Sequence, residues 1–217
     1  MPEFDPNLPC VTIAPLKRAF DVLFSGFFIL LLWPVFFIIL ILIALEDIIH
    51  LQFFAPLFYV EKRISRGQPV NFIKFNIFKP QVIRALKKSK TFIFTKELEH
   101  DGASLTRVGR VLQKIYLDEL PQLLSIFVGD ISVVGPRPVN LEVYKKQLAR
   151  QNYTKKVIKS GLTGPYQSRK GMTDITQYEW DREYILFCAH NPGWKIVLFD
   201  LSIIFRTIGV IFRARGI

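Results

Sequence analysis

The hydrophobic pattern is most uneven at Val22–Leu45, 24 residues without a charged side chain between Asp21 and Glu46. As a helix it reaches about 36 Å, enough to cross a hydrocarbon core of about 30 Å. Pro34 divides the run, with 12 uncharged residues before it and 11 after. Proline removes a helical hydrogen bond and crowds the preceding turn, so the pattern predicts a kink there. Each half would measure roughly 17 Å, about half the hydrocarbon thickness. Two geometries stay open: a kinked helix that spans, or a re-entrant helix that dips in, turns at Pro34 and returns. Basic residues flank both ends, Lys17 and Arg18 before the run and Lys62, Arg63 and Arg66 after it. Neither flank is marked as the outside, which leans toward the re-entrant form, although spanning helices tolerate proline. A signal peptide fits less well: the run is long, it lacks a small-x-small cleavage site, and acidic Glu46-Asp47 follows.

Elsewhere the periodicity is shorter. Residues 1–15 carry Pro2, Pro6, Pro9 and Pro15 and read as an extended lead-in, and Leu16–Phe20 as an interfacial helical start. Residues 53–60 and 70–78 predict short strands around a turn at Arg66-Gly67-Gln68-Pro69. Residues 81–100 read as a solvated basic helix and loop. A helix is expected over 107–128 with a break before Leu117, then a short strand at Ile131–Val134 and a basic helix over Leu141–Val157. Another helix is expected over Thr173–His190, stopped by Asn191-Pro192-Gly193. Residues 194–217 mix apolar runs with five charges and suggest an amphipathic helix lying in a membrane interface, with a buried core helix as the alternative.

Composition sharpens this picture. Half of the 217 residues are apolar and 22% charged, which excludes a wholly disordered chain. The net charge of +11 is unevenly placed: residues 1–47 sum to −3 and residues 48–217 to +14. A basic domain tied to a membrane points to anionic lipid headgroups or anionic small substrates. Cys10 and Cys188 form no disulfide framework and fit a reducing face. His50, His100 and His190 are scattered, so zinc is not indicated, and neither a Walker loop nor a dinucleotide fingerprint is present.

Three segments can carry chemistry. Leu117-Asp118-Glu119-Leu120-Pro121-Gln122 holds adjacent carboxylates, costly to ionise together unless a cation shares them. It also reads as an ordinary helix start, with acids and proline in the first turn. Gly129-Asp130-Ile131-Ser132-Val133-Val134-Gly135-Pro136-Arg137-Pro138 leads from a strand into a stiff loop. The prolines beside Arg137 restrict its backbone, and a planar guanidinium suits bidentate phosphate binding; a solvated surface arginine is the alternative. In Lys159-Ser160-Gly161-Leu162-Thr163-Gly164-Pro165, followed by Gln167, Arg169 and Lys170, glycines can free backbone N–H groups for an anion.

In order, the chain shows Lys-Arg-x-Phe-Asp (Lys17 to Asp21), a Pro-broken apolar helix, Leu-Asp-Glu-Leu-Pro-Gln, Gly-Asp-x-Ser-x-Val-Gly-Pro-Arg-Pro and Gly-x-Thr-Gly. Together these resemble the bacterial sugar transferase family, the monotopic phosphoglycosyl transferases, over residues 16–215. The Asp-Glu and Gly-Pro-Arg-Pro blocks are the specific parts. The resemblance implies transfer of a sugar-1-phosphate from a UDP-sugar to a polyprenyl phosphate with release of UMP, the initiating step of glycan assembly. It puts the nucleophile at Asp118, through a covalent phosphosugar intermediate, with Glu119 helping to hold Mg²⁺. Arg137 and Lys159 are implied phosphate-binding residues, and Gly161, Thr163, Gly164 and Gln167 form the implied nucleotide-sugar loop.

The implied fold is α+β, mostly helical. Residues 16–50 form a membrane helix, re-entrant at Pro34, and residues 51–217 a compact catalytic domain with interfacial amphipathic helices. The implied location is the cytoplasmic face of the bacterial inner membrane, against anionic lipid. Nucleic acid is not an expected partner; oligomeric state stays open, a homodimer included. Several positions depart from the family pattern: Trp33 stands for the Ser often found before the proline, Gln113 for an Arg five residues before the Asp, and Lys74-Phe75-Asn76 for Lys-Phe-Arg. Lys159-Ser160 replaces Arg-Pro, and Ser168-Arg169-Lys170-Gly171 replaces the later Asn-Gly-Arg element. Gln113 keeps a second reading alive, a non-catalytic membrane-bound scaffold in the same pathway.

Overall fold

The computed structural model describes residues 10–49, 56–88, 98, 102–169 and 175–213. It is mostly helical, with two small two-stranded sheets. Helix α1 covers Pro15–Ile49 and runs through Pro34. Among the described residues it is the one helix long and apolar enough to cross a membrane. Its apolar side chains are largely uncovered: Leu23 is 72% and Leu30 76% exposed. That is expensive in water and natural in lipid.

The hairpin pairs β1, Phe58–Ser65, with β2, Gln68–Phe75. The turn is two residues long, with Arg66 at φ 50° and Gly67 at φ 75°. Positive φ at both central residues is the turn type whose twist matches paired strands. The expected Gln68-Pro69 part of the turn is therefore already strand, and β1 begins at Phe58. Then come α2, Pro80–Lys88; α3, Arg107–Lys114; a 3-10 turn, Leu117–Glu119; α4, Gln122–Val128; and β3, Ser132–Val134. The break expected before Leu117 is present.

The single helix expected over Leu141–Val157 is two helices, α5, Leu141–Ala149, and α6, Thr154–Val157. Gln151 lies at φ 58°, and the Asn152 side chain accepts from Thr154 N and Oγ1, so local capping wins over propagation. Strand β4, Gly161–Thr163, runs parallel to β3, with Ser132 opposite Gly161 and Val134 opposite Thr163. Helix α7 covers Gln177–His190, opened by a Thr176–Glu179 capping box, and α8 covers Gly193–Arg213. The expected helix start near Thr173 lies outside the described residues. Helix α8 buries Ile196, Asp200 and Ile203 and exposes Trp194, Leu198 and Phe205, the two-faced pattern expected of it.

The chain divides into two compact units, with the boundaries falling inside α1, the hairpin and the start of α4. The first comprises residues 1–28, 61–72 and 123–217. Its core holds Ile64, Ile126, Ile131, Val133, Val134, Tyr184, Ile185 and Ile203. A buried polar tie runs through it. Lys17 Nζ lies 2.7 Å from Asp21 Oδ1 and 2.6 Å from Asp200 Oδ2. Asp21 also accepts from Ser132 Oγ and Val133 N, and Tyr184 Oη donates to Asp200 at 2.8 Å. Dehydration raises the Asp200 carboxyl pKa against the pull of Lys17. These bonds join the start of α1 to β3, α7 and α8.

The second unit comprises residues 29–60 and 73–122. Its core gathers Ile39 and Ile43 of α1 with Phe75, Ile77, Phe78, Ile83, Leu105 and Leu112. Phe36, Phe58 and Phe75 form an aromatic cluster, with centroid separations of 4.8–6.1 Å.

Candidate active site

In the second unit, local structure aims the Asp118-Glu119 pair. Helix α3 is capped twice. Thr106 accepts from Gly109 N at 2.9 Å, and the Glu46 carboxylate near the end of α1 accepts from Arg107 N at 2.6 Å and Val108 N at 2.9 Å. A carboxylate on these otherwise unpaired N–H groups also complements the helix dipole. Gly109 lets α3 approach the backbone of Ile77: a Cβ there would stand 2.3 Å from the Ile77 carbonyl oxygen. Helix α3 ends at Ile115, and Tyr116 takes a left-handed conformation, φ 58°. That costs a non-glycine residue of order 1 kcal/mol or more. It redirects the chain into the 3-10 turn that carries both acids.

The two acids occupy different environments. Asp118 is 3% exposed, whereas the Glu119 side chain is 25% exposed. Both face the Lys74 ammonium of β2, 2.8 Å from Glu119 Oε1 and 3.5 Å from Asp118 Oδ2. A shared cation lowers the cost of two neighbouring negative charges. The sequence places Lys74 in a Lys-Phe-Asn segment whose departure is Asn76, and gives the lysine no role; a lysine beside buried Phe75 in an apolar strand was the available signal. Among the described residues no group of three or more His, Cys, Asp or Glu gathers as a metal cage. Two carboxylates are nonetheless the donor set that suits a Mg²⁺ taking its other ligands from phosphates and water, so the residues fit the ion.

The remaining expected site residues lie in the first unit. Arg137 is exposed between buried Pro136 and Pro138, and among the described residues no hydrogen bond or ion pair holds its guanidinium. Lys159 is otherwise engaged: its ammonium donates to the Gly129 carbonyl. Arg18 does the same for Ile126 and Phe127, at 2.7 Å each, so two cations close the C-terminal end of α4. Burial and the neighbouring Arg18 and Arg66 lower the Lys159 pKa.

The glycine loop is explained chiefly by close packing. A Cβ on Gly161 would stand 2.0 Å from Gly135 N, and one on Gly164 would stand 2.2 Å from Gly135 O. Gly161 N donates to Pro136 O at 3.1 Å and Gly135 N to Thr163 O at 3.0 Å, so both N–H groups are committed. Thr163 Oγ1 is paired with Thr207 Oγ1 at 2.7 Å. Gln167 differs: both amide atoms are dry and unpartnered among the described residues. Arg169 stacks on Trp180, 3.7 Å from the ring centroid. The structure thus brings Asp118 and Glu119 together in one unit. It brings the Gly135–Arg137 loop together with the Lys159–Gly164 segment in the other, through β3 and β4.

A family model described as bacterial sugar transferase matches residues 12–214. The exopolysaccharide production protein ExoY of Sinorhizobium fredii is 34% identical over 214 residues, covering 92% of this chain and 87% of that protein. The uncharacterized sugar transferase EpsL of Bacillus subtilis is 31% identical, covering 93% and 90%. The UDP-glucose:undecaprenyl-phosphate glucose-1-phosphate transferase of Escherichia coli is 30% identical, covering 89% of this chain and 39% of that longer protein.

Proposed function

The chain belongs to the bacterial sugar transferase family, and on that premise we propose that it transfers a sugar-1-phosphate from a UDP-sugar to a polyprenyl phosphate, starting assembly of a glycan. The observation that carries the reading is the buried Asp118 beside Glu119, both facing one lysine. An Asp118 carboxylate oxygen attacks the sugar-bearing phosphorus, the phosphoanhydride bond breaks, and UMP leaves. A carrier phosphate oxygen then attacks the same phosphorus, releasing Asp118 and forming the polyprenyl diphosphosugar. Dividing one difficult transfer into two displacements is what a carboxylate nucleophile offers. Lys74 offsets the charge of the acids until a dianionic substrate arrives; Arg137, exposed and unpaired among the described residues, offers a planar fork that suits a phosphate. Bound Mg²⁺ would neutralise phosphate charge, with Asp118 and Glu119 as its protein ligands.

Residues 16–50 are read as a membrane helix, re-entrant at Pro34, and residues 51–217 as the catalytic domain on the cytoplasmic face of the inner membrane. The exposed apolar surface of α1 supports the membrane placement and the basic excess after residue 47 supports an anionic lipid surface; the re-entrant turn is carried by the family resemblance alone, since α1 runs unbroken through Pro34. Gln113, in place of an arginine, supports the second reading, a non-catalytic scaffold. Purified protein with Mg²⁺, polyprenyl phosphate and a panel of UDP-sugars is expected to release UMP, to lose turnover as Asp118→Asn, and to lose it in excess EDTA. Absence of UMP with every sugar would defeat the catalytic reading. For topology, an impermeant thiol reagent on intact cells should spare Cys10 and an exposed His190→Cys reporter, and permeabilisation should expose both. Labelling of Cys10 alone from outside would mean a spanning helix.

A further inference from the structure

Gln122 stands four residues after Asp118, one helical turn along the path from the 3-10 turn into α4. Residues at that spacing are neighbours on a helical surface. Asp118 is 3% exposed and Gln122 is fully buried. The Gln122 amide nevertheless makes no hydrogen bond: Oε1 and Nε2 are both dry and both unpartnered among the described residues. Buried amides are normally satisfied, because dehydrating an unpaired donor or acceptor costs free energy. A leucine or methionine would fill the same space without that cost. A dry amide four residues along a helical path from a buried carboxylate therefore points to a partner acquired in another state of the protein.

The charge arrangement identifies that state. Asp118 faces the Lys74 ammonium at 3.5 Å, and Glu119 holds the same ammonium at 2.8 Å. A phosphate-bearing ligand is the stronger attractor for Lys74, so its arrival weakens the hold on Asp118. We propose that Gln122 is a positioning residue that takes over at that moment, its Nε2 donating to the Asp118 carboxyl oxygen that does not attack phosphorus. One oxygen is then fixed and the other is aimed. The inference rests on the proposed transferase reading, which fixes Asp118 as the reacting group.

The test compares wild type with Gln122→Met, unbranched and of similar length, by two readouts. In thermal unfolding without ligand, the variant is expected to melt above wild type, because two unpaired polar groups have been removed. With UDP and Mg²⁺ it is expected to gain less than wild type, because the acquired bond is missing. A variant that melts lower without ligand, or gains as much from UDP as wild type, overturns the proposal. In turnover, kcat/KM for the UDP-sugar is expected to fall about 10-fold, the scale of one lost hydrogen bond, split between a raised KM, matching the smaller gain from UDP, and a lowered kcat. Unchanged kcat/KM also overturns it. If wild type releases no UMP from any sugar, the transferase reading fails by itself, and the unfolding comparison still decides whether Gln122 answers to a phosphate ligand.

Discussion

The same substitution at two glycines is expected to have opposite effects. A methyl at Gly109 would stand 2.3 Å from the Ile77 carbonyl oxygen and 2.8 Å from Ile77 Cα, both backbone atoms that no rotamer change can move. Restoring even a 3.0 Å contact requires α3 and the Ile77 segment to separate by at least 0.7 Å, the difference between the two distances. That opening strains the bond from Thr106 N to Ile77 O, now 3.0 Å, and loosens a core in which Ile77 and Leu112 are nearly inaccessible. Overpacking of this kind costs about 1–3 kcal/mol, and three contacts under 3.0 Å with immovable backbone put it toward the upper end; less a gain of about 0.8–1 kcal/mol in helix propensity, Gly109→Ala should be net destabilising by up to about 2 kcal/mol. At Gly209 in α8 an added Cβ meets nothing within 4 Å. There the propensity gain stands alone, and Gly209→Ala should stabilise by about 0.8–1 kcal/mol. Thermal unfolding of both variants in the same detergent should move Tm down for the first and up for the second, by roughly 2–4 °C per kcal/mol at this size. Gly109→Ala melting at or above wild type would refute the packing of α3 on Ile77.

Two further outcomes follow from buried contacts. Glu46→Ala should cost about 1–2 kcal/mol by uncapping two N–H groups of α3, and Glu46→Gln should cost less because one acceptor oxygen remains; equal stability of all three proteins in denaturant titration would mean the cap does not form. Burial pushes the Cys188 thiol pKa up to about 12, whereas Cys10 is exposed. An alkylating reagent at pH 8 should therefore modify one thiol per native chain and two after denaturation, and rapid modification of both in the native protein would contradict the buried placement.

Much of the local structure was legible because short-range rules govern it. Val22–Leu45 lies within one helix, Arg66-Gly67 forms the hairpin turn, and the chain breaks at Tyr116 before the acids. The helix after Asn140 ended early because Gln151 turns left-handed and the Gln151 and Asn152 N–H groups bond back to Leu148 O and Gln147 O, a local closure that hydrophobic periodicity does not register. Partners distant in the chain were not legible. Glu46 caps a helix that begins 61 residues later. Lys159 looked like a free phosphate ligand in sequence, yet it bonds a carbonyl 30 residues before it. Gly161 and Gly164 looked like an anion cradle and are instead required where two backbones nearly touch. Lys74 gained its relation to Asp118 and Glu119 only once β2 and the 3-10 turn were placed.

The polar tie through Lys17, Asp21 and Asp200 also has a consequence in time. Asp21 is polymerised about 180 residues before Asp200, an interval on the order of 10–40 s at common elongation rates. Through that interval the first helix, the most apolar segment of the chain, is complete while its acidic partner on the last helix does not yet exist. Its anchoring charges must wait in water or at a lipid surface. Closure of the fold at the start of the first helix therefore waits for α8, and a ribosome stalled before α8 leaves Lys17 and Asp21 without the Asp200 bond that completes the tie.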